Sequence, residues 1–184
     1  MSDSNLSQNP SSSKELLQPK QEEEQFLRFR LEPDTKAMLP IEQITEVLKI
    51  SVGNIIPIPE MPTWVMGVHN WRGEILWMLD LGHLIGLNSW YETGINATNY
   101  NALVLSQDNS QNTQAKSIQK TSIGLIITQV EDIEWCNPDV IQSPPTSAIN
   151  AELAPFLRGY WLKPDGETIW TLNGLAIFAA MSQT

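Results

Sequence analysis

The chain has 184 residues, 41% hydrophobic and 17% charged, enough for one ordinary domain or two very small ones around a buried core. Its formal charge of -10 opposes phosphate backbones and anionic bilayers, which argues against nucleic-acid binding and basic-patch membrane binding. No apolar run reaches the roughly 20 residues of a membrane span, and the one cysteine, Cys136, cannot make an internal disulfide, so the expected setting is cytoplasmic, with no direct membrane insertion.

Residues 1–24, "MSDSNLSQNPSSSKELLQPKQEEE", lack the apolar stretch of a signal peptide. They hold too few large apolar side chains to offset the entropy of ordering, so a flexible acidic and polar tail is expected. A short binding motif at Leu16 and Leu17 is the functional alternative. The composition changes at Gln25, where the folded body begins.

"FLRFRL" alternates, with Leu27, Phe29 and Leu31 on one face and Arg28 and Arg30 on the other, the pattern of a half-buried strand. "EPDTK" is a turn and "AMLPI" a second short strand. "IEQITEVLKI" predicts one helical turn followed by a strand. Pro57, Pro59 and Pro62 impose an extended connection. "GVHNW" and "EILWML" predict a hairpin closed by Arg72-Gly73, and Asp80 caps a short helix, "LGHLIGL". "YNALVLSQ" is a strand, residues 108–121 a long polar hairpin loop, and "SIGLIITQV" a strand. "SPPT" opens a second extended connection. "GYWLK" and "TIWTL" form a hairpin around "PDGE", and Asn173 caps a final helix, "GLAIFAAM".

The two halves repeat one another. "LPIEQITEV" (39–47) aligns with "LIITQVEDI" (125–133), "MPTWVMGV" (61–68) with "LAPFLRGY" (153–160), and "GEILWMLD" (73–80) with "GETIWTLN" (166–173). Trp77 and Trp170 are identical positions, and Asp80 and Asn173 are N-caps at the same place. The reading is two copies of a small all-β unit, each closed by a short helix. Such a unit is marginal on its own, so two barrels packed together with a third apolar core between them are expected. On that reading Trp77 and Trp170 are packing residues.

Catalytic signatures are missing. No G-x-S-x-G elbow, P-loop or G-x-G-x-x-G occurs. His69 and His83 lack the companion ligands a zinc site needs, so neither a metal nor a cofactor is expected. Glu131, Asp132 and Glu134 read as a solvated strand end.

"QFLRFRL", "PIEQITEVL", "IIPIPEMPTWVMGVHNWRGEILWMLDL" and "IGLIITQVEDI" resemble the CheW family of coupling proteins in chemotaxis-type signalling arrays. The resemblance covers residues 25–181, and its most specific part is the N-x-R-G-x-I core followed by Asp-Leu. It implies one CheW-like domain made of two SH3-like five-stranded barrels with short helices, with a strand order free to interleave them. It also implies a non-enzymatic adaptor with two partners, a CheA-type histidine kinase and the coiled-coil tips of methyl-accepting chemoreceptor-like proteins. The partner-binding residues it implies are Ile44, Glu46, Asn70, Trp71, Arg72 and Val130, with Glu46 pairing Arg72; Ile44, two residues before Glu46, shares its face if the segment is a strand. The chain departs from the family pattern at Trp71, where leucine is usual, at Gln129, where an acid is common, and at Asn173, where Leu-Asp is common. A generic SH3-like peptide-binding module is the alternative, but a single barrel would leave half of the chain unexplained.

Overall fold

The computed structural model describes residues 23–89, 98–108, 120–144 and 149–182. The expected tail up to Glu22 and most of the expected 108–121 loop lie outside these residues. The described residues form ten strands: β1 (Glu24–Leu31), β2 (Thr35–Pro40), β3 (Ile44–Ser51), β4 (Val65–Trp71), β5 (Glu74–Asp80), β6 (Asn99–Asp108), β7 (Lys120–Ile127), β8 (Gln129–Cys136), β9 (Leu157–Leu162) and β10 (Thr168–Leu172). The α-helices are α1 (Leu81–Leu84) and α2 (Gly174–Ser182). The strands form two five-stranded sheets, ordered β8-β1-β2-β10-β9 and β3-β6-β7-β5-β4. The fold is all-β, with two SH3-like barrels and short helices.

The sequence repeat and the barrels do not coincide. Each barrel takes a hairpin from one half, β1–β2 or β6–β7, and three strands from the other half, β8–β10 or β3–β5. The chain changes barrel twice. The 3-10 turn Ile41–Gln43 carries it from β2 to β3, as the expected helical turn before a strand required. The second crossing falls at Thr128, whose N–H donates to the Arg30 carbonyl at 3.0 Å. "SIGLIITQV" is therefore not one strand. It ends at Ile127 in the second barrel, and a separate strand of the first barrel runs from Gln129 to Cys136. Parallel pairing locks the swap in place, β10 with β2 and β5 with β7. Trp77 sits opposite Val68 and beside Ile123, and Trp170 opposite Tyr160 and beside Ala37, so the two tryptophans hold corresponding places.

Each barrel closes in the same way. The chain beyond β3 returns to pair Ile56 with Val68, and the chain beyond β8 pairs Gln142 with Tyr160. All four of these N–H···O distances are 2.8–2.9 Å. The aligned glycines Gly67 and Gly159 stand beneath these closing segments. A Cβ on Gly67 would lie 2.1 Å from the Ile56 carbonyl oxygen, and one on Gly159 2.7 Å from that of Gln142. The caps also match. Asp80 Oδ1 accepts from the His83 N–H and Asn173 Oδ1 from that of Leu175, while the two cap N–H groups donate to the Trp64 and Phe156 carbonyls. α1 has only one turn, shorter than expected, because Leu87 N–H already bonds back to the Gly82 carbonyl in a helix-ending pattern.

The expected third core between the barrels is the main one. Leu27, Phe29, Leu31, Ala37 and Leu39 of the first barrel meet Leu79, Leu103, Leu105, Ile123 and Leu125 of the second, with Ile177 and Phe178 of α2 completing the layer. Trp77 and Trp170 pack against this same layer. The second barrel has its own core of Ile50, Ile55, Leu76, Met78, Ala102, Val104 and Ile126, whereas the first has only Phe26, Met38, Cys136 and Ile169.

Ions fill the rest of the first barrel. Arg28 and Arg30 do not simply face solvent, and Glu131 and Glu134 are not a solvated strand end. The Arg28 side chain is 17% exposed and contacts Glu131 at 2.6 Å and Glu134 at 2.7 Å. Arg30 reaches Glu131 at 2.9 Å, Lys163 reaches Glu134 at 2.9 Å, and Lys36 bonds Glu167. At the matching places the second barrel has Val104 for Arg28 and a Ser106–Ser122 hydroxyl pair, 2.8 Å apart, for Arg30 and Lys36. Charges this far out of water persist because each meets an opposite charge. The hydrogen bond from Lys36 holds the Glu167 carboxyl below its ordinary 4.5, and the bond to Glu134 raises the Lys163 ammonium above its ordinary 10.5.

Two predictions follow from this architecture. Gly67 and Gly73 both have positive φ, 138° and 84°, but only Gly67 has backbone in the way of a Cβ. Gly73→Ala should cost about 1–2 kcal/mol, the ordinary left-handed penalty, and Gly67→Ala clearly more, measured by urea unfolding. Equal losses would mean that the barrel closure yields easily. The second prediction concerns pH. The depressed Glu167 carboxyl contributes stability above its unfolded value and loses it as pH falls through the folded one. The raised Lys163 ammonium contributes below its unfolded value and loses it as pH rises through the folded one. Melting temperature should therefore be flat around neutrality, falling in acid below about 4.5 and in alkali above about 10.5. Glu167→Gln should flatten the acid limb; an unchanged limb would show that Glu167 contributes nothing to it.

Candidate functional site

The β4–β5 hairpin turns on two residues, Arg72 and Gly73, with φ of 56° and 84°. Positive φ at both central positions makes this a primed turn, whose twist matches that of the strands. Such turns favour asparagine and glycine, so an arginine here is uncommon. The Asn70 side chain supports it, its Oδ1 accepting the Gly73 N–H at 3.1 Å. The bond makes Asn70 a brace for the turn that presents Arg72.

The arginine does not swing free. Its Nη2 donates to Glu46 Oε2 at 2.8 Å, the pairing expected from the resemblance. The same oxygen accepts the indole N–H of Trp71 at 3.0 Å. The guanidinium carbon lies 5.0 Å from the centroid of the Trp71 ring. Trp71 itself packs against the core of the second barrel. The arrangement is a cation stacked on an indole, both tied to one carboxylate, at the mouth of that barrel. The Arg72 side chain is nevertheless 67% exposed, so most of it is open to a partner.

Ile44 does not share the face of Glu46. The register shifts between them, so that Ile44 opposes Leu105 and Glu46 opposes Val104. Leu105 belongs to the central core and Val104 to the core of the second barrel. The bulge thus sends Ile44 to one side of the sheet and Glu46 to the other, overriding the period of two. Val130 is the counterpart of Ile44 in the first barrel. It opposes Phe29 and packs on the central core. The six candidates therefore divide into two groups: Glu46, Asn70, Trp71 and Arg72 at the barrel mouth, and Ile44 and Val130 along the central core.

Neighbours of the second group escaped the sequence reading. Val47 is 46% exposed, Ile133 50% and Trp135 58%. Val47 opposes Leu103 and Ile133 opposes Leu27, so both stand on the central-core side of their sheets. Trp135 lines a shallow cleft of about 440 Å³ with Glu24, Ile41, Glu42 and Pro138. The alternation of Ile133 and Trp135 within "VEDIEWC" was the available signal, but the surrounding acids masked it. The described residues contain no group of three or more His, Cys, Asp or Glu that could hold a metal ion, and no helix long and apolar enough to cross a membrane. His69 Nδ1 lies 3.1 Å from the Asn54 carbonyl oxygen, and His83 Nε2 3.4 Å from Thr63 Oγ1.

Residues 25–181 match the CheW-like domain family. Protein FrzA of Myxococcus xanthus is 41% identical over 59 residues, 32% of this chain and 35% of FrzA, so the match spans about a third of that relative. The crystal structure of the scaffolding protein TtCheW from Thermoanaerobacter tengcongensis superposes with a TM-score of 0.62 at 22% identity, covering 83% of this chain and 90% of that one. With a family match spanning both barrels and the chain that crosses between them, this protein belongs to the CheW family.

Proposed function

We propose that this chain is a non-enzymatic adaptor of the cytoplasm that couples a CheA-type histidine kinase to the coiled-coil tips of chemoreceptor-like proteins. Its membership of a scaffold family of chemotaxis signalling supports this reading. The observation that carries it is the exposed guanidinium of Arg72, held on Trp71 and Glu46 at a barrel mouth. A long charged side chain fixed in place before binding suits recognition, because little of its freedom remains to be lost. The exposed Val47 and Ile133 offer a second, apolar contact near Ile44 and Val130. A coiled-coil tip presents the complementary surface, apolar side chains at helical spacing with charges beside them.

The expected outcome of removing the arginine is weak binding in a folded protein. The Arg72–Glu46 pair is largely exposed and contributes on the order of 0–1 kcal/mol to folding. A central interface arginine costs about 2 kcal/mol or more when truncated, roughly thirtyfold in affinity. Arg72→Lys should recover only part of this, since a point charge does not replace the planar fork. Titration calorimetry against kinase and receptor-tip fragments, with Glu46→Ala and the double variant closing a cycle, measures it. Normal folding with unchanged affinity for both partners would reduce Arg72 to a solvated turn residue.

A further inference from the structure

The two barrel mouths are built on matching positions and filled differently. In the first, Lys163 stands opposite Glu167 and is held by Glu134 at 2.9 Å. Its companions Arg28, Arg30 and Lys36 each meet a carboxylate of the same mouth, so that its cations are neutralised within the fold. In the second mouth Trp71 takes the place of Lys163, opposite Glu74. The cation there, Arg72, has one carboxylate, reached through Nη2 at 2.8 Å, and 67% of its side chain is exposed.

The geometry points to Trp71 as a positioning residue that presents the guanidinium of Arg72 to a carboxylate side chain of the partner. The indole does so twice. Its N–H, 3.0 Å from Glu46 Oε2, holds that carboxylate where it also accepts from Arg72. Its ring lies beneath the guanidinium with 5.0 Å between Cζ and the centroid. Leu48, Met66 and Tyr100 pack around the same core as Trp71, so the ring is a fixed platform. Without it, an arginine on an exposed turn samples many rotamers. With it, the guanidinium is stacked and tied at one nitrogen, and its remaining donors form a fork that fits a carboxylate in two-point geometry. Leucine at position 71 would supply neither the N–H nor the face. Trp71 is then a determinant of how tightly an acidic partner surface is held.

The proposal rests on the adaptor reading for the identity of the partner, but not for the geometry, and the test separates them. In the full chain, the indole N–H resonance of Trp71 is identified by its loss in Trp71→Phe. It should move in both Glu46→Gln and Arg72→Ala; an unmoved resonance would overturn the proposal whether or not any partner binds. In binding to receptor-tip and kinase fragments, Trp71→Phe keeps a ring and should lose about threefold, while Trp71→Leu should lose about tenfold. Both losses should vanish when Arg72→Ala is already present, because there is then no guanidinium to position. Equal losses with and without Arg72 would show a merely structural role and overturn the proposal. Melting curves of Trp71→Phe guard against misfolding. If the wild-type chain binds neither fragment, the adaptor reading fails, and the resonance shifts still decide whether Trp71 holds Glu46 and Arg72.

Discussion

The apolar layer that Leu27, Phe29 and Leu31 make with Leu79, Leu103 and Leu105 is where the burial of this protein is concentrated. Among the described residues the first barrel holds four buried apolar residues of its own and the second seven, against nineteen in the layer between them, so neither barrel has an interior that would sustain it alone. Burial scales with apolar area removed from water, and here most of that area is shared. The strand exchange follows the same logic. With a hairpin of one half built into the sheet of the other, the two sequence halves cannot separate without breaking the parallel β2–β10 and β5–β7 ladders. Packing and chain connectivity both favour one cooperative unit.

A fold held together from the middle leaves the outer ends of its barrels free to differ. The first has filled its mouth with paired ions. That choice contributes little net stability, since desolvation offsets much of the attraction, but each of its ions meets an opposite charge. The second has an apolar interior around Val104 and tryptophan, glutamate and arginine at its mouth. Two ends with one backbone plan thus have opposite surface chemistry: one self-neutralised, the other offering a stacked cation to the outside. On the proposed adaptor reading, such asymmetry suits two different partners, because like surfaces would invite the same partner twice.

Much of this was legible in the residues. The alternation of β1 and the two hairpins gave the strands, and the paired caps Asp80 and Asn173 gave the short helices. The internal alignment gave two barrels and the layer between them. It even paired Gly67 with Gly159, which share the same position beneath a closing segment. The Arg72–Glu46 pairing was legible only through resemblance, since 26 residues of chain separate the two. The bulge after Ile44 was not legible, because a register shift leaves the order of side chains unchanged while reversing the face they occupy. The burial of Glu131 was hidden as well. A carboxylate flanked by acids reads as solvated until its cations, Arg28 and Arg30, are seen to arrive from a strand a hundred residues away.

By itself the sequence determined most of the strands, though not β8, and where the hairpins turn, where the helices are capped, and that one unit occurs twice. These follow from interactions between near neighbours: side-chain alternation, turn conformations and capping hydrogen bonds. Only the tertiary structure decided which hairpin joins which barrel, which side of β3 carries Glu46, and which mouth neutralises its own charges. Those depend on pairings between residues far apart in the chain, where two halves so alike in pattern offer each strand two chemically similar partners. What separates the choices is the shared apolar layer, and it exists only once both barrels are in place.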